Sequence, residues 1–194
     1  DDVTARRERA ANHDLGTGGI AAVGECVAEE RRESDVEEEI VAAAIFLDAA
    51  SEQRDCLYRL PELGVGAVAE GGEVFLDEGT LRDTGASTME VRELVARKTA
   101  EVDEACRRFR RGRAEPDVTD KTVLVVDDGI ATGGTARAAL RSLRRRKPRH
   151  LTLAVPVAPA DILESLASEA DEILCLSPQP ELRAIGLWYR GFAP

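Results

Sequence analysis

The chain has 194 residues, 43% of them hydrophobic and 4% aromatic, which suits one domain of roughly 150 to 200 residues around an Ala, Val, Leu and Ile core and excludes a collagen-like or fibrous chain. Its formal net charge is −11 with a pI near 4.8, so the summed field repels nucleic acid and anionic membrane, and any phosphate ligand needs a focused local site. Of the 26 cationic side chains 23 are Arg, and scarce Lys beside abundant Asp and Glu resembles the composition of proteins from salt-loving organisms.

Residues 1–60 carry 15 acids against 7 bases, and residues 61–194 carry 22 against 19. In the first part, AANHDLGTGGIAAVGECVAEERRES and VEEEIVAAAIFLDAA form apolar clusters without a strand bounded by turn residues. From Pro61 the pattern sharpens. GVGAVAE and EVFLDE are short β-type runs joined through Gly71 and Gly72, a pair that accepts the positive φ of a hairpin turn. Ser87 and Glu90 have capping-box spacing, and Val91, Leu94, Val95, Val102, Ala105 and Phe109 recur at helical intervals, predicting an amphipathic helix over about 87–111. The helix ends in RRFRRGR, where Arg107, Arg108, Arg110, Arg111 and Arg113 complement the macrodipole or, alternatively, reach a polyphosphate.

Over 122–176 strands and helices alternate. TVLVV reads as a strand, TARAALRSLRRR as a helix stopped by Pro148, LTLAVPV as a strand, ADILESLASEA as a helix and EILCL as a strand. Uniformly apolar strands separated by helices predict an α/β fold with a parallel, Rossmann-like sheet flanked by helices, and ligands in such sheets bind at the carboxyl ends of the strands. Asp127 and Asp128 fall at that end of the first of these strands. Gly129 to Thr135 then leads into the next helix, where Gly133 and Gly134 permit backbone N–H groups to converge on an anion at the helix N-terminus, and Thr132 and Thr135 add hydroxyl donors. The loop lacks the Lys of a nucleotide triphosphatase loop and the spacing of a dinucleotide fingerprint. Two carboxylates beside a monophosphate cradle suit a sugar phosphate, whose hydroxyls donate to the acids while the loop holds its phosphate.

The run VLVVDDGIATGGT, Val123 to Thr135, resembles the 5-phosphoribosyl-1-pyrophosphate (PRPP) motif of type I phosphoribosyltransferases. GVGAVAEGG, AVPVAP (Ala154 to Pro159) and AIGLWYRGF extend the likeness over residues 61–194 to phosphoribosyltransferase-domain proteins whose acceptors are mostly unassigned. The resemblance implies the type I phosphoribosyltransferase fold with a small hairpin or hood region. It implies that Asp127 and Asp128 bind the ribose 2′ and 3′ hydroxyls and serve the chemistry. Ala131, Thr132, Gly133, Gly134 and Thr135 would hold the 5′-phosphate. It further implies Mg²⁺, reached by the two acids indirectly through ribose hydroxyls and water, a nitrogenous base as acceptor, release of pyrophosphate, and a homodimer. The Ala-Thr-Gly-Gly-Thr loop is closer to the adenine and orotate enzymes than to the hypoxanthine-guanine group, where an Asp tends to stand at the position of Ala131. Trp188, Tyr189 and Phe192 are candidates for stacking on the base or for packing on the sheet.

Two features of the group are missing upstream: a Pro-Arg-Gly-Gly-like pyrophosphate loop and a strand ending in Arg-Lys. Gly16-Thr-Gly-Gly19 lacks the Arg, and Arg59 stands in another context. Residues 1–60 are therefore expected to be a divergent third of the domain or the product of a shifted reading frame. The alternative function is a non-catalytic protein that senses PRPP or a nucleotide. Cys26, Cys56, Cys106 and Cys175 are widely spaced with only His13 and His150 as further ligands, which argues against zinc. With no apolar run of about 18 residues and no signal-peptide pattern at the charged start, the expectation is a cytoplasmic protein without membrane or nucleic-acid partners.

Overall fold

The computed structural model describes residues 40–41, 57–59, 65–182 and 184–189. The strands are β1 (Ile40–Val41), β2 (Leu57–Arg59), β3 (Gly66–Ala69), β4 (Glu73–Leu76), β5 (Thr122–Val126), β6 (His150–Pro159) and β7 (Glu172–Gln179). The helices are α1 (Glu78–Thr84), α2 (Thr88–Arg110), α3 (Gly134–Arg145) and α4 (Ala160–Leu166), with a final 3₁₀ turn, Ile185–Trp188.

The parallel sheet has the order β1-β5-β6-β7, with Val126 opposite Ala154 and Val155 opposite Cys175. The crossovers β5-α3-β6 and β6-α4-β7 advance in one direction across the sheet, so right-handed connections bring both helices to one face. There Val123, Val125, Leu151, Leu153 and Val155 pack against Ala136, Leu140, Leu143 and Leu166. On the opposite face, fully buried Ala154 sits among Leu124, Leu174 and Leu176.

The outer side of α3 carries a second sheet, antiparallel, in the order β2-β3-β4. Ala67 and Ala69 of β3 meet Ala138 of α3 with Phe75 beside them, so methyl groups form the seam and the backbones approach closely. Val68 of β3 and Val65 just before it join a second cluster with Leu94, Val102 and Cys106 of α2. Helix α3 is thus held between two sheets.

The expected hairpin is present as β3 and β4, with Gly71 and Gly72 at φ 82° and 77°. The helix expected over 87–111 is α2, and both halves of its capping box form: the Glu90 N–H donates to Ser87 Oγ at 3.3 Å and the Ser87 N–H to Glu90 Oε2 at 2.9 Å. Three details differ from expectation. The short helix α1 is not legible in the sequence, because Gly79 weakens its interior. Its ends are nonetheless marked by Asp77, whose carboxylate accepts from the Thr80 N–H at 2.7 Å, and by Gly85 at φ 63°. Helix α4 stops at Leu166, short of the expected Ala170, and Glu169 turns back to Arg137 and Arg141 of α3. β1 and β2 lie in the part from which no strand was expected, and the remaining readings for residues 1–60, like Phe192, fall outside the described residues.

Leu140 is fully buried between α3 and the parallel sheet. Leu140→Ala is expected to cost about 2–5 kcal/mol by lost transfer energy and cavity formation, whereas Ser87→Ala costs about 1 kcal/mol through the lost cap. Equilibrium urea denaturation of both variants measures the contrast.

Candidate active site

At the carboxyl end of β5 the chain leaves the sheet in a short turn fixed by β6. The Asp127 N–H donates to the Ala154 carbonyl at 3.3 Å, and the Ile130 N–H donates to that of Val157 at 3.0 Å. Between these anchors the side chains of Asp127 and Asp128 turn inward, leaving the residues only 6% and 4% exposed. The Asp128 N–H donates to Asp127 Oδ1 at 2.8 Å. Burial first, and then the neighbouring Asp128 charge, push the Asp127 carboxyl well above the usual carboxylate range, opposed by the backbone N–H groups of Asp128 and Gly129.

Gly129 has no space for a side chain: a Cβ there would stand 2.8 Å from Ile185 Cγ2 and 3.1 Å from Val157 Cγ1. Gly133 is the N-cap of α3 at φ 75°, and its own Cβ would meet Ile162 Cγ2 at 2.8 Å. A glycine cap offers no side-chain bond to the first turn of α3. That turn therefore presents backbone N–H groups and the positive end of a 12-residue helix to the loop. Thr132 is exposed and Thr135 half-buried beside it. Residues 127–136 and Ile185 surround a cavity of about 90 Å³, apart from Gly134, which faces a neighbouring cleft. That cleft, of about 510 Å³, shares Ala131, Thr132 and Thr135 and is walled by Phe75, Asp77, Asp161, Ile162 and Leu182.

All the residues expected at the site from β5 and its loop, Asp127, Asp128 and Ala131 to Thr135, thus border one continuous turn. The aromatic candidates divide. Trp188 is 37% exposed, while the Tyr189 hydroxyl donates to the Asp128 carbonyl. The arginines near α2's end that have described partners serve structure: Arg110 binds Glu70 of the hairpin at 2.5 Å, and Arg107 bonds to Asp103 and Glu104 within its own helix. Arg137 and Arg141 lie over the Phe75 ring, 5.3 and 5.7 Å from its centre, and pair with Glu169. His150 stands 3.6 Å from Glu172, away from the loop. Sequence reasoning misses Phe75 and Ile185. Both come from elements distant in sequence that only tertiary packing brings to the loop.

Among the described residues no three His, Cys, Asp or Glu side chains are grouped to hold a metal by themselves. None of their helices is long and apolar enough to cross a membrane. Cys106 is buried and Cys175 half-buried, and burial raises the Cys175 thiol above its ordinary value.

The raised Asp127 carboxyl has a consequence for stability. A group that binds its proton more tightly folded than unfolded favours folding below the usual carboxylate range, and this contribution disappears as pH rises through the folded-state value. Asp127→Asn is therefore expected to raise Tm by a few degrees at pH 7 and to match the parent in strong acid. Thermal unfolding of both proteins across pH 3–8 tests this.

Residues 67–179 match the phosphoribosyl transferase domain family. Over 132 residues the chain is 37% identical to "Putative phosphoribosyl transferase Rv0571c" and to "Putative phosphoribosyl transferase MT0597", from two strains of Mycobacterium tuberculosis. The match covers 68% of this chain and 30% of each relative, so the chain spans less than a third of their length. The crystal structure of TT1426 from Thermus thermophilus superposes with a TM-score of 0.55 at 33% identity, covering 72% of this chain and 68% of that one. With more than half of its residues in the family match, and with the acid pair and glycine loop at the carboxyl end of β5, this chain belongs to the type I phosphoribosyltransferase family.

Proposed function

We propose that the chain transfers the 5-phosphoribosyl group of PRPP to a nitrogenous acceptor of the purine or pyrimidine type, with release of pyrophosphate. The observation that carries this reading is the juxtaposition of two buried carboxylates with an N-terminus of α3 that no side chain caps. A sugar phosphate uses both features. Its phosphate accepts from the backbone of Gly133 to Thr135 and from the hydroxyls of Thr132 and Thr135, and its 2′ and 3′ hydroxyls donate to Asp127 and Asp128.

Hydrogen bonds to a carboxylate in a dry site are strong, so the acids fix the sugar ring. Their negative charge also stabilises the positive charge that develops at C1 as the bond to pyrophosphate lengthens. Pyrophosphate leaves with the electron pair of its bond to C1, and an acceptor nitrogen supplies the new bond. The donor set fits Mg²⁺, a hard cation bound by a few carboxylates, water and substrate phosphate. Without a three-residue cluster among the described residues, Asp127 and Asp128 would reach it through ribose hydroxyls and water. When bound, it supplies charge neutralisation on the pyrophosphate. The cleft of about 510 Å³ lies within the size range of small-molecule sites, and Trp188 is exposed enough to stack on an acceptor ring. A cytoplasmic setting, with residues 61–194 as the catalytic core, completes this reading.

The missing Pro-Arg-Gly-Gly-like loop favours a second reading, a non-catalytic protein that binds PRPP or a nucleotide through the same turn. Calorimetric titration with PRPP and Mg²⁺, and separately with ribose 5-phosphate, is expected to show binding of both. Asp127→Asn/Asp128→Asn should weaken both about 100-fold or more, given roughly 1.5–3 kcal/mol for each charge-assisted bond. Undiminished binding in that variant refutes the assignment. Pyrophosphate release with a panel of bases separates the enzyme from the sensor. If residues 1–60 reflect a shifted frame, translating the encoding DNA in its other two frames should reveal a strand ending in a Pro-Arg-Gly-Gly-like loop; its absence from every frame refutes that explanation.

A further inference from the structure

The turn that carries the acid pair is anchored to the sheet at both ends, by the Asp127 and Ile130 N–H groups on β6. The peptide between Asp128 and Gly129 has a different support. Its carbonyl accepts from the Tyr189 hydroxyl, 61 residues away in sequence, and its N–H helps to hold the Asp127 carboxylate. The same C-terminal segment closes the space above Gly129. Ile185 occupies the volume that a Cβ at Gly129 would need, and it lines the cavity of the two acids. Tyr189 itself is half-buried.

We propose that Tyr189 is a positioning residue: its hydroxyl, with Ile185 packed on Gly129, fixes the Asp128–Gly129 peptide and thereby aims the acid pair at the sugar hydroxyls. A peptide plane can rotate with little change in chain path, and such a rotation would turn the Gly129 N–H away from the Asp127 carboxylate it helps to hold. Donation to the carbonyl also polarises the peptide, strengthening the N–H at its other end. Tyr189 thereby contributes to sugar recognition without touching the sugar.

The inference rests on the reading of Asp127 and Asp128 as acceptors for ribose hydroxyls, and the experiment separates the two claims. Ribose 5-phosphate, 2-deoxyribose 5-phosphate and inorganic phosphate are titrated calorimetrically into the full chain, into Tyr189→Phe and into Ile185→Ala. The parent should prefer ribose 5-phosphate to its 2-deoxy analogue; equal affinity for the two removes the acid-pair reading, and this inference with it. Given that preference, Tyr189→Phe should reduce it about threefold to tenfold, the range expected for one lost hydrogen bond. Its affinity for inorganic phosphate should stay unchanged. Ile185→Ala, which loosens the same turn but keeps the hydroxyl, should reduce the preference in the same direction and serves if Tyr189→Phe fails to fold. A full preference in the folded variants overturns the inference. So does an equal weakening of all three ligands, the mark of a merely structural role.

Discussion

Two adjacent carboxylates withdrawn from water repel each other and lose hydration, and the turn after β5 is built around that constraint. Asp127 cannot be ionised as readily as a surface acid, because burial and Asp128 both oppose it. Compensation comes from backbone donors, and backbone donors reach a carboxylate only where the chain turns tightly. The tight turn needs glycine at Gly129, where Val157 and Ile185 leave no space for a side chain. It also delivers the chain directly to the N-terminus of α3, whose positive end faces the same loop. A pair of acids that costs the fold stability thus dictates the path of the chain from β5 into α3.

Helix α3 connects this turn to the rest of the molecule. One side buries Leu140 and Leu143 against the parallel sheet, and the other meets the small antiparallel sheet through alanines. Its arginines are committed at the edges: Arg137 and Arg141 to Glu169, Arg144 to Asp171, and Arg145 to the buried Glu73 of the hairpin. Ser142 adds a bond to the Glu70 carbonyl at 2.7 Å. Glycine loop, hairpin and the β6–β7 side of the fold therefore share one rigid element, and Phe75 is placed next to Gly134 as a result.

Legibility in the sequence follows the range of the interactions. The hairpin, α2 and the alternation over 122–176 are readable because glycine pairs, the capping box and apolar periodicity act within a few residues. The acid pair and loop are equally local, and that is why the family resemblance can be drawn from one continuous run. What stays hidden depends on distant contacts. Glu169 leaves α4 for arginines 28 and 32 residues away, which shortens the helix that propensity predicts. Phe75 and Ile185 look like ordinary apolar residues until the fold sets them against glycines of the loop. An aromatic near the chain end suggests stacking, but nothing in its neighbours indicates a hydroxyl bonded to Asp128.

The family match ends at Gln179, before the 3₁₀ turn that carries Ile185. A fragment trimmed to that boundary would retain β3 to β7 and every member of the glycine loop. It would nevertheless lack a wall of the acid cavity and the donor on the Asp128 carbonyl. Such a fragment could keep its secondary structure and the uncapped N-terminus of α3 while the acid pair stands open on one side. Sequence borders drawn by similarity mark the shared scaffold, and here a wall of the acid cavity lies past them.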